Sequence, residues 1–286
     1  MNLNFWLIQT FNGISYGALL FLVGSGLSLI FGVMRIVNLS HGSYFLLGGY
    51  VALSVIWTTG SWFLAIPVAA LAIALVGLVM ERVFLRSLGF DPLRQVLLTV
   101  GFAFLFQQAA LDIWTGNNFD INPPAALSQS IAIGGLYLPL YRVFMIATAA
   151  AIGILIWLVM EKTRMGAAVR ATVDDAEMAR GVGIDTSRIS MMIFSLGAFL
   201  AALGGVIGGA FLGIYPGLDF EMLPLAFAVV IIGGMGSLGG AAIGALLVGL
   251  ADNFGKALFP EISYFTLYAP MALILAVKPT GLFGRE

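Results

Sequence analysis

The stretch Asn2-Leu3-Asn4-Phe5-Trp6-Leu7-Ile8-Gln9-Thr10-Phe11-Asn12-Gly13-Ile14-Ser15-Tyr16-Gly17-Ala18-Leu19-Leu20-Phe21-Leu22-Val23-Gly24-Ser25-Gly26-Leu27-Ser28-Leu29-Ile30-Phe31-Gly32-Val33-Met34 carries no charged side chain. A bilayer core about 30 Å thick takes roughly 20 apolar residues of helix, so 5–33 reads as one long or tilted span. No Lys or Arg precedes Arg35, and a secretory signal needs a basic leader; a retained span is expected. Charge-free runs mark further spans at 42–57 and 63–80, divided by Thr58-Thr59-Gly60-Ser61, then at 96–114, 143–160, 189–212, 222–251 and 262–277. That makes about eight hydrophobic segments at this thickness. Barrel strands would alternate polar and apolar residues in short runs, whereas these runs are continuously apolar. The expected fold class is an all-α integral membrane protein, a polytopic bundle forming one transmembrane domain over 1–286.

Composition agrees. Hydrophobic residues fill 60% of the chain and charged ones 9%, against about 45–50% and about 25% in a soluble domain. Too few charges exist to clothe the body in water, so lipid must cover much of it. The 36 glycines suit close helix packing in a membrane. The net charge of −1 and the lack of a basic face exclude a nucleic-acid partner. Without cysteine there is no disulfide, iron–sulfur or thiol chemistry.

Orientation follows the Lys/Arg bias. Loop 81–95 holds Arg82, Arg86 and Arg94, and loop 161–188 holds Lys162, Arg164, Arg170, Arg180 and Arg188, eight of the 13 basic residues. Both are expected in the cytoplasm, and 112–142, with only Arg142, outside. Eight simple crossings would put the C-terminus outside, yet Lys278 and Arg285 favour the inside. Gly233-Gly234-Met235-Gly236-Ser237-Leu238-Gly239-Gly240 within 222–251 offers a resolution. Glycine costs a helix interior about 1 kcal/mol relative to alanine, so a broken or re-entrant element is expected there, with the C-terminus cytoplasmic.

The longest charged stretch is Met165 through Asp185. Thr172 and Asp175 form a loose capping pair. Asp174, Asp175 and Glu177 crowd one helix end and Arg180 the other, as the helix dipole prefers. Gly181 or Gly183 can close the helix, and Ala176, Ala179 and Val182 make a small apolar stripe. The expectation is a short surface helix that is either a solvated connector or an insert for a groove on another protein.

Four stretches together resemble the permease subunits of branched-chain amino acid ABC transporters of the LivH type. They are Gly26-Leu27-Ser28-Leu29-Ile30-Phe31-Gly32-Val33-Met34-Arg35-Ile36-Val37-Asn38-Leu39-Ser40-His41-Gly42, Gly48-Gly49-Tyr50, Arg170-Ala171 through Gly183-Ile184, and Gly233 through Ala241. The resemblance implies a second related permease, two cytoplasmic ATPase subunits, a periplasmic substrate-binding protein, and residence in the bacterial inner membrane. It also implies that 166–185 is the coupling helix on the ATPase, with Arg170, Asp174, Asp175, Glu177, Arg180 and Gly183 as its candidate residues. No cofactor is implied.

Other constellations carry less. Asn38, Ser40 and His41 are candidates for a translocation path, with Gly233, Gly234, Gly236, Ser237 and Gly239; the plainer readings are an interfacial histidine ending a span and tight helix packing. A lone histidine cannot build a metal site. The glycine run lacks the following Lys of a phosphate loop, and Gly255-Lys256 fails the same pattern, so ATP should be bound by a partner. Gly13/Gly17 and Gly205/Gly209 have small-xxx-small spacing in spans that each carry an Ile-Ser pair, Ile14-Ser15 and Ile189-Ser190, which reads either as a hint of two related halves or as chance. Asp219 and Glu221 read as an outer turn, either solvated or touching the binding protein. No Ser-His-Asp elbow is present. The rival reading, an ion-coupled secondary transporter of small apolar solutes, would bury acids or bases within its spans, and the assigned span cores hold none.

Overall fold

In the computed structural model, which describes residues 3–89 and 91–284, eleven helices and one hairpin are present among the described residues. The chain folds as an all-α membrane bundle. In chain order come α1 (Leu3–Met34), α2 (His41–Thr59), α3 (Trp62–Val79), α4 (Pro92–Trp114), α5 (Leu140–Lys162), α6 (Arg164–Asp174), α7 (Ala176–Gly181), α8 (Thr186–Leu212), α9 (Leu218–Gly233), α10 (Leu238–Leu258) and α11 (Ser263–Val277). Six helices are long and apolar enough to cross a bilayer: α1, α3 with its extension to Leu88, α4, α5, α8 and α10. The remaining apolar helices, α2 at 19 residues, α9 at 16 and α11 at 15, fall outside that set.

The predicted turn at 58–61 is present. Gly60 takes φ +71° and closes α2, and Ser61 Oγ accepts from Leu64 N (3.3 Å) to cap α3. The presumed loop 81–95 is mostly helix instead. α3 continues through a π-helical turn at Met80–Leu85 and a 3-10 turn at Arg86–Leu88, and Asp91 caps α4 by accepting from Arg94 N (3.2 Å). In 112–142 a hairpin pairs β1 (Ser130–Ile133) with β2 (Leu136–Pro139). Its Gly134-Gly135 turn has φ +57° and +83°, the left-handed pair a two-residue hairpin needs.

The core is built on α1, α8 and α10. Gly26 meets Gly197 backbone to backbone between α1 and α8, which run antiparallel. Gly13 and Gly17 meet Leu250 and Ala245 of α10, and a Cβ on Gly249 would collide with Gly17. Gly205 faces the Phe45 carbonyl of α2, and Gly209 the Ile214 side chain. Both spaced glycine pairs therefore permit close approach. The two pairs meet unlike partners, so spacing alone does not relate the halves. Helix order does: α1–α2–α3 and α8–α9–α10 traverse the bundle in opposite senses, with α1 against α10 and α3 against α8.

The glycine run is a turn at a helix end. α9 stops at Gly233 (Gly234 φ +101°), Ser237 caps α10, and the two helices pack antiparallel, with a Cβ on Gly233 excluded by the Gly240 carbonyl. Segment 222–251 is thus two antiparallel helices rather than one. That extra helix returns 278–284 to the turn, where Leu282 N donates to Ile232 O (2.9 Å) and Phe283 N to Gly233 O (3.0 Å). Arg285 lies outside the described residues.

Candidate functional site

One end of the bundle gathers the basic segments. Leu29 and Val33 of α1, Val169 of α6, Ile189 of α8 and Leu238 of α10 share one apolar cluster. Arg82 and Arg86 line a cleft with Asp185, Arg188 and Met191. The segments 81–95 and 161–188 therefore meet at the same end, together with the α9–α10 turn.

The segment after α5 is two helices hinged at Asp175, not one. Thr163 Oγ1 accepts from Gly166 N (3.2 Å) to cap α6, and glycine is required at 166 because a Cβ would strike the Met160 backbone. Asp175 is extended (φ −153°), and its Oδ1 accepts from Glu177 N and Met178 N, both at 2.9 Å. Thr172 is no cap: it is buried inside α6 and donates to Ala168 O (2.9 Å). Gly183, with φ +89°, closes α7 while Ile184 N donates to Ala179 O (3.0 Å).

The candidate coupling residues divide by contact. Arg170 reaches back to α5, donating to the Met160 carbonyl and lying 3.8 Å from Glu161, so it braces α6. Arg180 Nε donates to Thr186 Oγ1 (3.0 Å) and ties α7 to α8. Asp174 and Glu177 are exposed. The expected Ala176/Ala179/Val182 stripe splits: Ala179 faces the bundle at 4% exposure, whereas Val182 (72%) and Met178 (67%) face outward. Met178 lies off the spacing of three that links Ala176, Ala179 and Val182, so the sequence carried no signal for it.

Asn38, Ser40 and His41 are all fully buried at the break between α1 and α2. Arg35, at φ +55°, ends α1. Asn38 Oδ1 accepts from Ser40 N (3.1 Å) and Ser40 Oγ (2.7 Å), and Leu39 N donates to Thr99 Oγ1 of α4 (3.2 Å). His41 Nε2 lies 2.9 Å from the Val23 carbonyl, which can only accept, so this nitrogen carries the proton. Among the described residues Asn38 Nδ2 and His41 Nδ1 have no partner. These three residues do not meet the glycine run, which lies at the α9–α10 turn with Gly233 and Gly234 buried and Gly236 and Gly239 exposed. Ser237 Oγ accepts from Gly240 N (3.0 Å).

The outer-turn reading of Asp219 and Glu221 is corrected. Both lie in the first turn of α9; Asp219 is buried, accepting from Ser43 Oγ (3.2 Å), while exposed Glu221 accepts from Tyr215 Oη (2.8 Å). Two acids lie just past the assigned span cores, Glu81 in the α3 extension and Asp252 in α10, and both are buried. Asp252 pairs with Lys256 (2.7 Å) one turn on. Their i,i+4 spacing was the available signal. Among the described residues no cluster of acids and histidine could hold a metal.

A multi-span bundle with its basic elements at one end and two short braced helices projecting there is the frame of a membrane permease component. The chain belongs to the family described as the branched-chain amino acid transport system permease component, which matches residues 9–275. It is a permease component, not an enzyme, and a multi-pass protein of the inner membrane. It is 30% identical to the high-affinity branched-chain amino acid transport system permease protein LivH of Escherichia coli, over 98% of this chain and 96% of that one. It is 28% identical to the corresponding BraD protein of Pseudomonas aeruginosa, with the same coverage. It is 29% identical to the autoinducer 2 import system permease protein LsrC of Salmonella paratyphi B, over 66% of this chain and 55% of that one.

Proposed function

We propose that the chain is the membrane-spanning subunit of an ATP-driven importer of branched-chain or closely related amino acids, working by alternating access. The full-length likeness to LivH and BraD supports the substrate class, and the partial likeness to LsrC marks how far substrates diverge among relatives. In this reading 1–286 form one membrane domain. The eight hydrophobic segments all enter the bilayer: α2, α9 and α11 join the six longer spans, and 222–251 is divided by its glycine turn. The ends of segments 81–95 and 161–188 face the cytoplasm.

ATP is hydrolysed by two cytoplasmic ATPase subunits, a second related permease completes the path, and a periplasmic protein delivers the substrate. The α6–α7 pair is the coupling element. Arg170, Asp175, Arg180 and Gly183 shape it, while Asp174 and Glu177 flank the contact face. Asn38, Ser40 and His41, and separately Gly233, Gly234, Gly236, Ser237 and Gly239, are the candidates for the translocation path.

The observation that carries the proposal is α7 itself. A six-residue helix cannot persist alone in water, yet Asp175, Gly183 and Arg180 fix it so that Met178 and Val182 project. Apolar side chains held outward on a braced helix suit an apolar groove on a partner. The test is Met178→Asp with Val182→Asp in the assembled transporter in proteoliposomes. ATP-dependent uptake should fall about tenfold or more, the scale of losing one buried contact worth roughly 1.4 kcal/mol, with the permease still folded. Full uptake by that variant would remove α7 from the mechanism. A tagged chain purified without any ATPase, and transporting on an ion gradient, would favour the secondary transporter.

A further inference from the structure

The cleft between the end of α3 and the start of α8 has a volume of about 390 Å³ and is lined by Arg82, Arg86, Asp185, Arg188 and Met191. Three guanidinium groups face one space. Arg188 is paired with Asp185 at 2.8 Å. Among the described residues neither the Arg82 nor the Arg86 guanidinium is in an ion pair or a hydrogen bond. Buried Glu81 feels the charge of Arg86, but the only hydrogen bond between them runs from the Arg86 backbone N–H to the Glu81 carbonyl, and among the described residues the Glu81 Oε2 has no partner. The space therefore holds an excess of positive charge whose mutual repulsion an anion would relieve.

Position narrows the anion. Arg82 and Arg86 close the span Trp62–Leu88. Val79 (44% exposed), Val83 (56%) and, on α8, Met192 (47%) sit beside the cleft residues in sequence and present apolar surface outward. Such a site lies at the boundary of hydrocarbon and water. Arginine forks match phosphate oxygens in pairs, and basic pockets between spans on the cytoplasmic side suit lipid headgroups. The π-helical turn at Met80–Leu85 sets Arg82 and Arg86 on the same cleft, and such turns recur at functional sites.

We infer that this cleft binds the phosphodiester head of an anionic phospholipid of the inner leaflet, with its acyl chains along the apolar flank of α3 and α8. The headgroup then bridges the α3 extension and the first turn of α8, the two elements beside the coupling segment. A free phosphate could satisfy the same guanidinium groups but would leave the apolar flank uncovered.

The test uses the detergent-purified transporter with all subunits, by native mass spectrometry and by uptake in vesicles of defined lipid. Phosphatidylglycerol should remain bound in about thirtyfold preference to phosphatidylcholine, the ratio two arginines near an anionic surface supply. Arg82→Ala with Arg86→Ala should abolish that preference, whereas Arg94→Ala, an exposed arginine of the same segment paired with Asp91, should retain it. Equal binding of the two lipids by the parent protein would overturn the inference. So would equal losses in the two variants, which would reduce the effect to general surface charge. Displacement of the lipid by millimolar inorganic phosphate alone would reassign the cleft to a soluble anion, and loss of the ATPase subunit with lipid binding intact would reassign it to that partner. None of these outcomes depends on the substrate carried.

Discussion

At Asp175 one carboxylate oxygen accepts from two backbone N–H groups, and the first turn of α7 has no other cap. Replacing an N-cap Asp by Ala costs about 1 kcal/mol of helix stability. Asp175→Ala should therefore quicken amide exchange over 176–182 about fivefold without altering α8; unchanged protection would show that packing, not the cap, holds α7. Glycines permit a sharper comparison. A Cβ at Gly205 would collide with the Phe45 carbonyl, whereas one at Gly101 would meet nothing within 4 Å. Gly205→Ala should destabilise the detergent-solubilised protein by roughly 1–3 kcal/mol as overpacking does, and Gly101→Ala should leave its melting temperature the same or higher. Equal melting shifts would contradict the close α2–α8 approach. At this scale the sequence was only partly legible. Asp175 was legible as a capping residue, but its true partners are the amides of Glu177 and Met178 rather than Thr172. Asp219 was misread because its partner, Ser43, is 176 residues away, beyond any local pattern.

Among elements, the α9–α10 turn depends on chain from elsewhere. Two carbonyls at the end of α9, Ile232 and Gly233, accept from Leu282 and Phe283. Helix ends leave such carbonyls orphaned, and a net hydrogen bond is worth about 0.5–1.5 kcal/mol. Truncation after Lys278 should lower thermal stability by roughly 1–3 kcal/mol through those two bonds, whereas truncation after Gly284 should not; equal stability of the two forms would refute the tie. Charge gaps located the apolar helices well, because a charge inside lipid is costly. They failed where helices continue past the last apolar residue, as in the α3 extension, and where one gap hides two helices, as in 222–251. Gly233-Gly234 and Gly239-Gly240 announced a break, but a composition cannot say whether a break lies mid-bundle or at an end. That is fixed by what packs on it, here Gly32 against Gly236.

For the molecule as a whole, the basic segments, the α9–α10 turn and residues 278–284 share one end, and the β1–β2 hairpin lies at the other. The natural absence of cysteine makes this measurable. Single cysteines at Ser87 and Lys278 should react with a membrane-impermeant maleimide only in inside-out vesicles, and one at Ala126 only in right-side-out cells or spheroplasts. Labelling of Lys278→Cys from the same side as Ala126→Cys would break the two-pass reading of 222–251.

The pairing of α1 with α10 also bears on biogenesis. Asn253 Nδ2 of α10 donates to the Gln9 carbonyl, 244 residues earlier in the chain. At about 5–20 residues per second of synthesis, α1 waits some tens of seconds in the bilayer before its glycine face finds its neighbour. During that interval Gly13 and Gly17 present a smooth furrow to any other helix passing through the insertion machinery. A nascent chain stalled before α10 should therefore be a target for membrane quality-control proteases, and the ribosome's pace through the last third becomes part of how this permease is made.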